Sequence, residues 1–103
     1  MKRYTVKISE SALNDMEAIY HYIAETLKAP DTALRQYERI AAAAISLENM
    51  PERCRIFKFK SKVIKELRRM IVDNYSIFYF IADETVVVTN VLYTASDIEK
   101  RLK

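Results

Sequence analysis

The sequence predicts an α+β fold with the element order βααβββα, in which a helical hairpin packs on a mainly antiparallel, four-stranded sheet. Residues 3–8 alternate between polar and apolar side chains, as a half-buried strand does. Two segments between residues 9 and 50 carry apolar side chains at spacings of three and four, which is typical of amphipathic helices. Three apolar runs separated by turn residues follow in residues 66–93 and predict strands.

The first strand is predicted over residues 3–8, and Ser9 or Ser11 can cap the helix that follows it. This helix should end near Lys28, because Pro30 cannot continue it. The predicted apolar stripe of the helix consists of Leu13, Met16, Tyr20, Ile23 and Leu27, with Ala12, Ile19 and Tyr22 beside it.

The second helix is expected to begin with Asp31 or Thr32 as its cap and to stop before Pro51. Two amphipathic helices joined by a few residues form an antiparallel hairpin. The apolar face of the second helix is predicted to carry Tyr37, Ile40, Ala41, Ala44 and Leu47.

Residues 51–65 lack a clean period and are interpreted as a basic, partly packed loop. Strands are then predicted at residues 66–72, 75–81 and 85–93, followed by a short helix at residues 98–102. The strand at residues 75–81 is apolar on both faces, so it should lie in the middle of the sheet.

Composition excludes several classes of function. A chain of 103 residues fits a single domain over residues 1–103, and without a long apolar run or a signal peptide it is expected to be cytoplasmic and to make no membrane contact. Because the chain has no glycine, it cannot form a glycine-rich phosphate loop, and no cofactor is expected. One cysteine, Cys54, and one histidine, His21, are too few for a disulfide or a zinc site, so no metal is expected.

Charge is distributed unevenly along the chain. Eight acids and three bases lie between Glu10 and Glu52, whereas eight bases and one acid lie between Arg53 and Arg69. The basic segment should attract an anionic partner, either RNA stacked on Phe57 and Phe59 or an acidic protein surface. The predicted target-binding residues are Lys58, Lys60, Lys62, Arg68 and Arg69.

Four segments carry motifs in a fixed order. These are the Ala-Leu-x-Asp entry and Tyr-Ile pair within residues 11–23, the Leu-x-x-x-Pro at residues 47–51, the Arg followed by Tyr-x-Ile-Phe-Tyr within residues 67–79, and the Val-Leu-Tyr at the start of residues 91–98. Together they resemble the RelE/ParE superfamily of toxins from type II toxin–antitoxin systems along nearly the whole chain. The resemblance favours the ParE-like branch over the ribonuclease branch.

The resemblance also indicates which catalytic residues are missing. Ribonuclease members cut messenger RNA on the ribosome, and their chemistry requires a base, cations and an acid on the face of the sheet. Two arginines of that branch correspond to Ser76 and Ser96 here, a histidine corresponds to Thr94, and two lysines correspond to Leu67 and Arg69. Most of the ribonuclease set is therefore absent.

Two residues remain as catalytic candidates. Arg69, with its neighbour Arg68, can clamp a phosphate or a carboxylate, although alternation along a strand turns the two side chains to opposite faces. One of them can instead be solvated or paired with Asp15 or Glu17. Tyr93 can donate a proton, or can be an ordinary aromatic residue at the end of a strand.

The resemblance implies a toxin that poisons DNA gyrase by binding it and that a cognate antitoxin neutralises. A ribosome-dependent endoribonuclease acting on messenger RNA is the alternative from the enzyme class, and a degenerate toxin that only binds its antitoxin is a further one. The antitoxin is expected to dock on the first helix, unless these residues belong to the core: Ile19, Tyr20, Tyr22 and Ile23.

Overall fold

A computed structural model describes residues 2–58, 66–96 and 98–102 and confirms the predicted α+β fold. No helix among these residues is long and apolar enough to cross a membrane. Short turns of π-helix at Tyr22–Thr26 and of 3-10 helix at Ser46–Glu48 and Pro51–Arg53 supplement the main elements. Those elements are β1 (Thr5–Ile8), α1 (Glu10–His21), α2 (Pro30–Ile45), β2 (Arg68–Val72), β3 (Tyr75–Ala82), β4 (Thr85–Tyr93) and α3 (Ile98–Leu102).

The sheet has the strand order β1-β4-β3-β2. β1 pairs with β4 in parallel, and the other two pairings are antiparallel. β3 lies inside the sheet, as its two apolar faces predict. The hairpins turn at Asp73 and Asp83, which both adopt a φ of 56°. Aspartate tolerates this left-handed conformation better than most residues, so a chain without glycine can still form tight hairpins.

The two faces of the sheet are covered differently. On the helical face, α1 and α2 contribute Ala12, Met16, Ile40, Ala44 and, just beyond α2, Leu47, which pack on Ile77, Tyr79, Val86, Val88 and Val91. On the second face, the smaller cluster consists of Leu67, Phe78, Leu92 and Ile98, with Phe57 and Leu102 packed against it.

The predicted apolar stripe of α1 was partly wrong. Leu13 and Leu27 are exposed, at 40% and 56% of their surface, whereas Ala12, Met16 and Ile23 are buried. The small side chain of Ala12 faces the core, and the π-helical turn after α1 changes the helical phase, which leaves Leu27 outside. Spacing alone therefore identified Met16 and Ile23 correctly but included Leu13 and Leu27 in place of Ala12.

The caps of the two long helices differ. Ser9 caps α1 as predicted, because its hydroxyl accepts a hydrogen bond from Ala12 N at 3.1 Å. The predicted cap of α2 was wrong, since Ala29 occupies the cap position without a side-chain bond and Pro30 begins the helix. Proline has a favourable φ and no N–H that needs a partner, so it is well suited to the first helical position.

A β-bulge in β4 is held by Asp15 of α1. The register shifts so that Tyr79 pairs with Val88 while Phe78 pairs with Asn90. Asp15 Oδ2 accepts hydrogen bonds from Val91 N at 3.0 Å and from Asn90 Nδ2 at 3.5 Å. Burial is the main reason why the pKa of Asp15 is raised above its ordinary value.

Replacing Asp15 by alanine should lower the free energy of unfolding by about 1–3 kcal/mol, because the Val91 N–H loses its acceptor. Asp15→Asn keeps an acceptor and removes the charge, so it should retain most of the stability.

The pKa of Asp15 is higher in the folded state than in the unfolded state, so the native carboxyl group holds its proton more tightly. The contribution of Asp15 protonation to the free energy of unfolding is therefore greatest when the pH is below the ordinary pKa of 3.8. It falls as the pH rises through the folded pKa.

Urea unfolding over a pH series measures both effects. The amide variant should lose this component of the pH dependence. An alanine variant as stable as the parent would show that the carboxylate does not hold the bulge.

Candidate functional site

An open groove of about 510 Å³ lies beside β2 and is called the basic groove here. Its lining contains four cations and no acid. Such a surface attracts carboxylates or phosphates. The lining residues are Arg53, Cys54, Arg55, Ile56, Phe57, Lys58, Arg69, Met70 and Ile71.

One wall of the basic groove is a short extended segment, residues 55–57, that pairs with the start of β2. Arg69 N donates to Arg55 O at 3.1 Å, and Phe57 N donates to Leu67 O at 2.6 Å. These bonds show that the main-chain groups of Leu67 and Arg69 point away from β3. The loop after α2 is thus packed on the sheet at this point, in agreement with the prediction of a partly packed basic loop.

Arg69 lies on the second face of the sheet, opposite Phe78 in the β2–β3 ladder. Its guanidinium sits over the Phe57 ring, 5.0 Å from the centroid. The Phe57 ring in turn meets Phe78 edge-on at 5.2 Å. Two aromatic rings therefore position the charge of Arg69 at the groove wall, in a stacking geometry that arginine favours.

Arg68 points to the helical face, so the two arginines do not converge on one ligand. Its guanidinium donates to Glu52 O at 3.1 Å and to Cys54 O at 2.7 Å. Beside it, the Tyr79 hydroxyl donates to Pro51 O at 2.7 Å, and burial raises the pKa of Tyr79. Both side chains fasten the loop that follows α2 to the sheet.

Of the three lysines predicted to bind the target, Lys58 lies within the described residues. Lys58 is exposed at the end of the groove wall. Lys60 and Lys62, together with Phe59, lie outside the described residues. Neither Asp15 nor Glu17 pairs with Arg68 or Arg69 among the hydrogen bonds and ion pairs of the described chain.

Tyr93 is not brought together with Arg69. It ends β4 opposite Tyr75, and the two rings meet edge-on at 5.9 Å. Tyr75 belongs to the helical face, whereas Arg69 belongs to the second face. Half of the Tyr93 surface is exposed. The two catalytic candidates therefore cannot share one substrate across the sheet.

A second groove, of about 690 Å³, lies where α1 and its π-helical turn meet the ends of β3 and β4. We call it the tyrosine groove, after Tyr22, Tyr75 and Tyr93, which line it together with Ile19 and Leu27. The sequence predicted Ile19 and Tyr22 as binding residues but did not place Tyr75 with them. That neighbourhood depends on the sheet register, which spacing within one helix does not reveal.

The other two predicted antitoxin-binding residues lie elsewhere. Tyr20 faces α2 and meets the Tyr37 ring edge-on at 6.3 Å. Ile23 is buried. The four candidates on the first helix therefore divide into two groove residues, one residue at the helix–helix contact and one core residue.

The positions that correspond to ribonuclease residues are mostly engaged in packing. Ser76 is fully buried, and its hydroxyl lies 2.8 Å from Thr94 Oγ1. Leu67 belongs to the core of the second face, and the Ser96 hydroxyl donates to Tyr93 O at 2.6 Å. Arg69 is the one cation among these five positions.

The side chains that bind metals most readily are dispersed. Within residues 2–58, 66–96 and 98–102, no three His, Cys, Asp or Glu side chains form a group that can hold a metal ion. His21 is exposed and pairs with Glu25 at 2.9 Å on the side of the first helix. Cys54 lies within the loop that follows α2 and is half-buried.

Comparison with known structures shows what this fold is similar to. The ParDE toxin–antitoxin system of P. aeruginosa matches with a TM-score of 0.72 at 17% identity, covering 90% of this chain and 98% of that one. The RelBE2 complex of Mycobacterium tuberculosis matches with a TM-score of 0.61 at 21% identity, covering 88% and 98%. The archaeal RelE–RelB complex of Pyrococcus horikoshii matches with a TM-score of 0.58 at 18% identity, covering 92% and 98%.

Sequence comparison gives the family. No curated protein matches the sequence. The model of the ParE toxin of the type II toxin–antitoxin system parDE matches residues 6–98, which is nearly the whole chain. The protein therefore belongs to the ParE toxin family of type II toxin–antitoxin systems.

Proposed function

We propose that this ParE-family toxin arrests growth by binding DNA gyrase, that it acts as a single domain in the cytoplasm, and that a cognate antitoxin neutralises it. The observation that carries the proposal is the hydrogen bond between buried Ser76 and half-buried Thr94 on the second face, at positions where ribonuclease relatives have an arginine and a histidine. A toxin that acts by binding needs neither residue.

RNA cleavage makes demands that this face does not meet. The attacking 2′-hydroxyl must lose a proton, the phosphorane needs cations, and the leaving oxygen must gain a proton. The hydroxyls of Ser76, Thr94 and Ser96 carry no charge, so they cannot take the place of the missing cations. Tyr93, the remaining candidate acid, is on the other face from Arg69.

The basic groove is the proposed contact surface for the target. Arg55, Lys58 and Arg69 line this groove and present positive charge there. Attraction of this kind depends on ionic strength. At 0.1 M salt, exposed charges that lie more than about 10 Å apart are largely screened from each other. Gyrase binding should therefore weaken as salt is raised.

The tyrosine groove is the proposed site for part of the antitoxin. Tyr22, Leu27 and Tyr93 expose about half of their surfaces there. Aromatic residues that present both an apolar ring and a hydroxyl are common at protein interfaces. The solved relatives are complexes of toxin with antitoxin, which supports such a partner for this chain.

One observation favours a second function. The Arg69 guanidinium stacked on Phe57 resembles a platform on which a nucleotide base and its phosphate can bind. A ribosome-dependent endoribonuclease with an altered catalytic set is therefore the competing proposal. A degenerate toxin would bind antitoxin and leave growth unaffected.

Induction of the toxin without antitoxin distinguishes these functions. We expect growth to stop, the DNA-damage response to appear and messenger RNA to remain intact. With purified components, the toxin should inhibit supercoiling by gyrase and leave transcripts uncut in a translation system. The matched control is the same toxin saturated with antitoxin.

Cleavage of transcripts at codon positions, with supercoiling unchanged, would replace the gyrase proposal by the ribonuclease one. Normal growth at confirmed expression would identify a degenerate toxin.

A further inference from the structure

The tyrosine groove contains two opposite charges that do not pair with each other. Among the described residues, its lining has one carboxylate, that of Asp15, and one cation, Arg101. Burial raises the pKa of Asp15 and the nearby charge of Arg101 lowers it, so the two groups lie in the same neighbourhood. They nevertheless form no ion pair within the described chain. The space between them can therefore admit a ligand that carries one positive and one negative group.

The carboxylate of Asp15 has one oxygen without a partner. Oδ2 holds the β-bulge through Val91 N and Asn90 Nδ2. Oδ1 makes no hydrogen bond with a described residue, and it is not buried, because every buried side-chain oxygen in that part of the chain has a partner. A half-buried carboxylate is stabilised by a cationic donor in such a position. An ammonium group meets this requirement.

The walls of the tyrosine groove are aromatic and apolar. The rings of Tyr75 and Tyr93 meet edge-on at 5.9 Å. Burial raises the pKa of Tyr75, as do the neighbouring hydroxyls of Tyr93 and Tyr22, so the three side chains lie together. The volume of about 690 Å³ is in the range of small-molecule sites. Aromatic rings pack well against one another, so an aromatic group fits these walls best.

We propose that the tyrosine groove binds a free aromatic α-amino acid, with its ammonium group at Asp15, its carboxylate toward Arg101 and its ring against the tyrosines. Asp15 should contribute the larger share of the affinity because it is half-buried, whereas Arg101 is exposed and its charge is screened by solvent. This inference goes beyond the proposed function and does not depend on the gyrase target. Because the groove is also the proposed site for part of the antitoxin, a bound amino acid would compete with that segment.

Tryptophan is a suitable probe, because the chain contains none and the fluorescence of the ligand can be excited separately. Titration of L-tryptophan with the purified, antitoxin-free toxin should change this fluorescence in a saturable way. In the NMR spectrum, the ring signals of Tyr22 and Tyr93 should shift on binding. Those of Tyr37 should not, because it lies at the helix–helix contact outside the groove.

Two analogues separate the charges of the ligand. N-acetyl-L-tryptophan lacks the ammonium group and should bind at least about tenfold more weakly than tryptophan, because the half-buried carboxylate of Asp15 then has no cationic partner. L-tryptophanamide lacks the carboxylate and should bind only about threefold more weakly, because an ion pair with an exposed arginine contributes little.

Matched variants assign each contact to a residue. Asp15→Asn keeps an acceptor for the β-bulge and should weaken tryptophan binding by about tenfold, while N-acetyl-L-tryptophan keeps its parent affinity. Arg101→Gln should weaken tryptophan binding by about threefold and should not weaken binding of the amide. Glu17→Gln removes an exposed acid of the same helix that lies outside the tyrosine groove, so it should leave all three affinities unchanged.

Absence of saturable tryptophan binding to the folded parent would overturn the proposal. So would equal affinities for tryptophan and N-acetyl-L-tryptophan, a comparison that needs no variant and stands even if Asp15→Asn fails to fold. An unchanged affinity of folded Asp15→Asn for tryptophan would contradict it as well. Neither antitoxin nor gyrase is present in these titrations, so failure of the proposed function is detected separately.

Discussion

Replacing Phe78 by aspartate is expected to leave the chain unfolded. Phe78 is fully buried on the second face, where it packs with Leu67, Leu92 and Ile98. Removing a buried aromatic ring costs about 3–5 kcal/mol, and an unpaired charge in the same place costs several more. The free energy of unfolding of a small domain is only about 5–15 kcal/mol. Circular dichroism should therefore show no cooperative melt.

Two controls assign the effect to the buried position. Phe78→Leu keeps an apolar side chain and should remain folded with a lower melting temperature. Ile71→Asp introduces the same charge on the same face of the sheet at an exposed position, so it should remain folded as well. If Phe78→Asp melts at the same temperature as the parent, β3 is not a central strand.

Toxicity should depend on Arg69 and on the lysines of the basic segment, whereas folding should not. We expect Arg69→Ala, and separately the combined replacement of Lys58, Lys60 and Lys62 by alanine, to abolish growth inhibition at equal expression. Losing a charge that contacts the partner directly weakens binding by about ten- to a hundredfold or more. The melting temperature should stay within a few degrees, because the Arg69 guanidinium is stacked on the Phe57 ring and Lys58 is exposed.

Arg68 supplies the matched control, because it is the adjacent arginine and points to the opposite face. Its guanidinium bonds to two carbonyl groups of the loop, so Arg68→Ala should lower the melting temperature. Growth assays and thermal melts on the three variants test this contrast. Should Arg69→Ala and the triple lysine variant both remain fully toxic, the target surface lies elsewhere, with the tyrosine groove as the next candidate.

The parts of the fold that the sequence predicted best are those in which local pattern and tertiary environment agree. β4 and α3 have the predicted bounds, and the strands around Asp73 and Asp83 were located by their apolar runs. The start of α2 could not be assigned in this way, because a proline and a side-chain cap are both good helix starts. The π-helical turn after α1 likewise has no distinctive composition, and it decides which large side chains are exposed.

The candidate site was predicted in part. Alternation along β2 correctly separated Arg68 from Arg69, and the density of cations marked the basic groove. The partners of Arg68 were beyond prediction, because they are main-chain carbonyls of a loop without a sequence period. The tyrosine groove was missed as a unit, since its residues come from the first helix and from two strands that meet only in the folded chain.

The parallel pairing of β1 with β4 also constrains the order in which the toxin is made. Thr5 pairs with Thr85, so the first strand to leave the ribosome can close the sheet only after the last strand has been synthesised. Contacts between such distant residues form slowly, because a long loop must first be ordered. Val86 and Val88, which complete the core under α1, arrive in the same late segment. The native sheet, and the toxin surface built on it, is therefore assembled only after Thr85–Val88 have been synthesised.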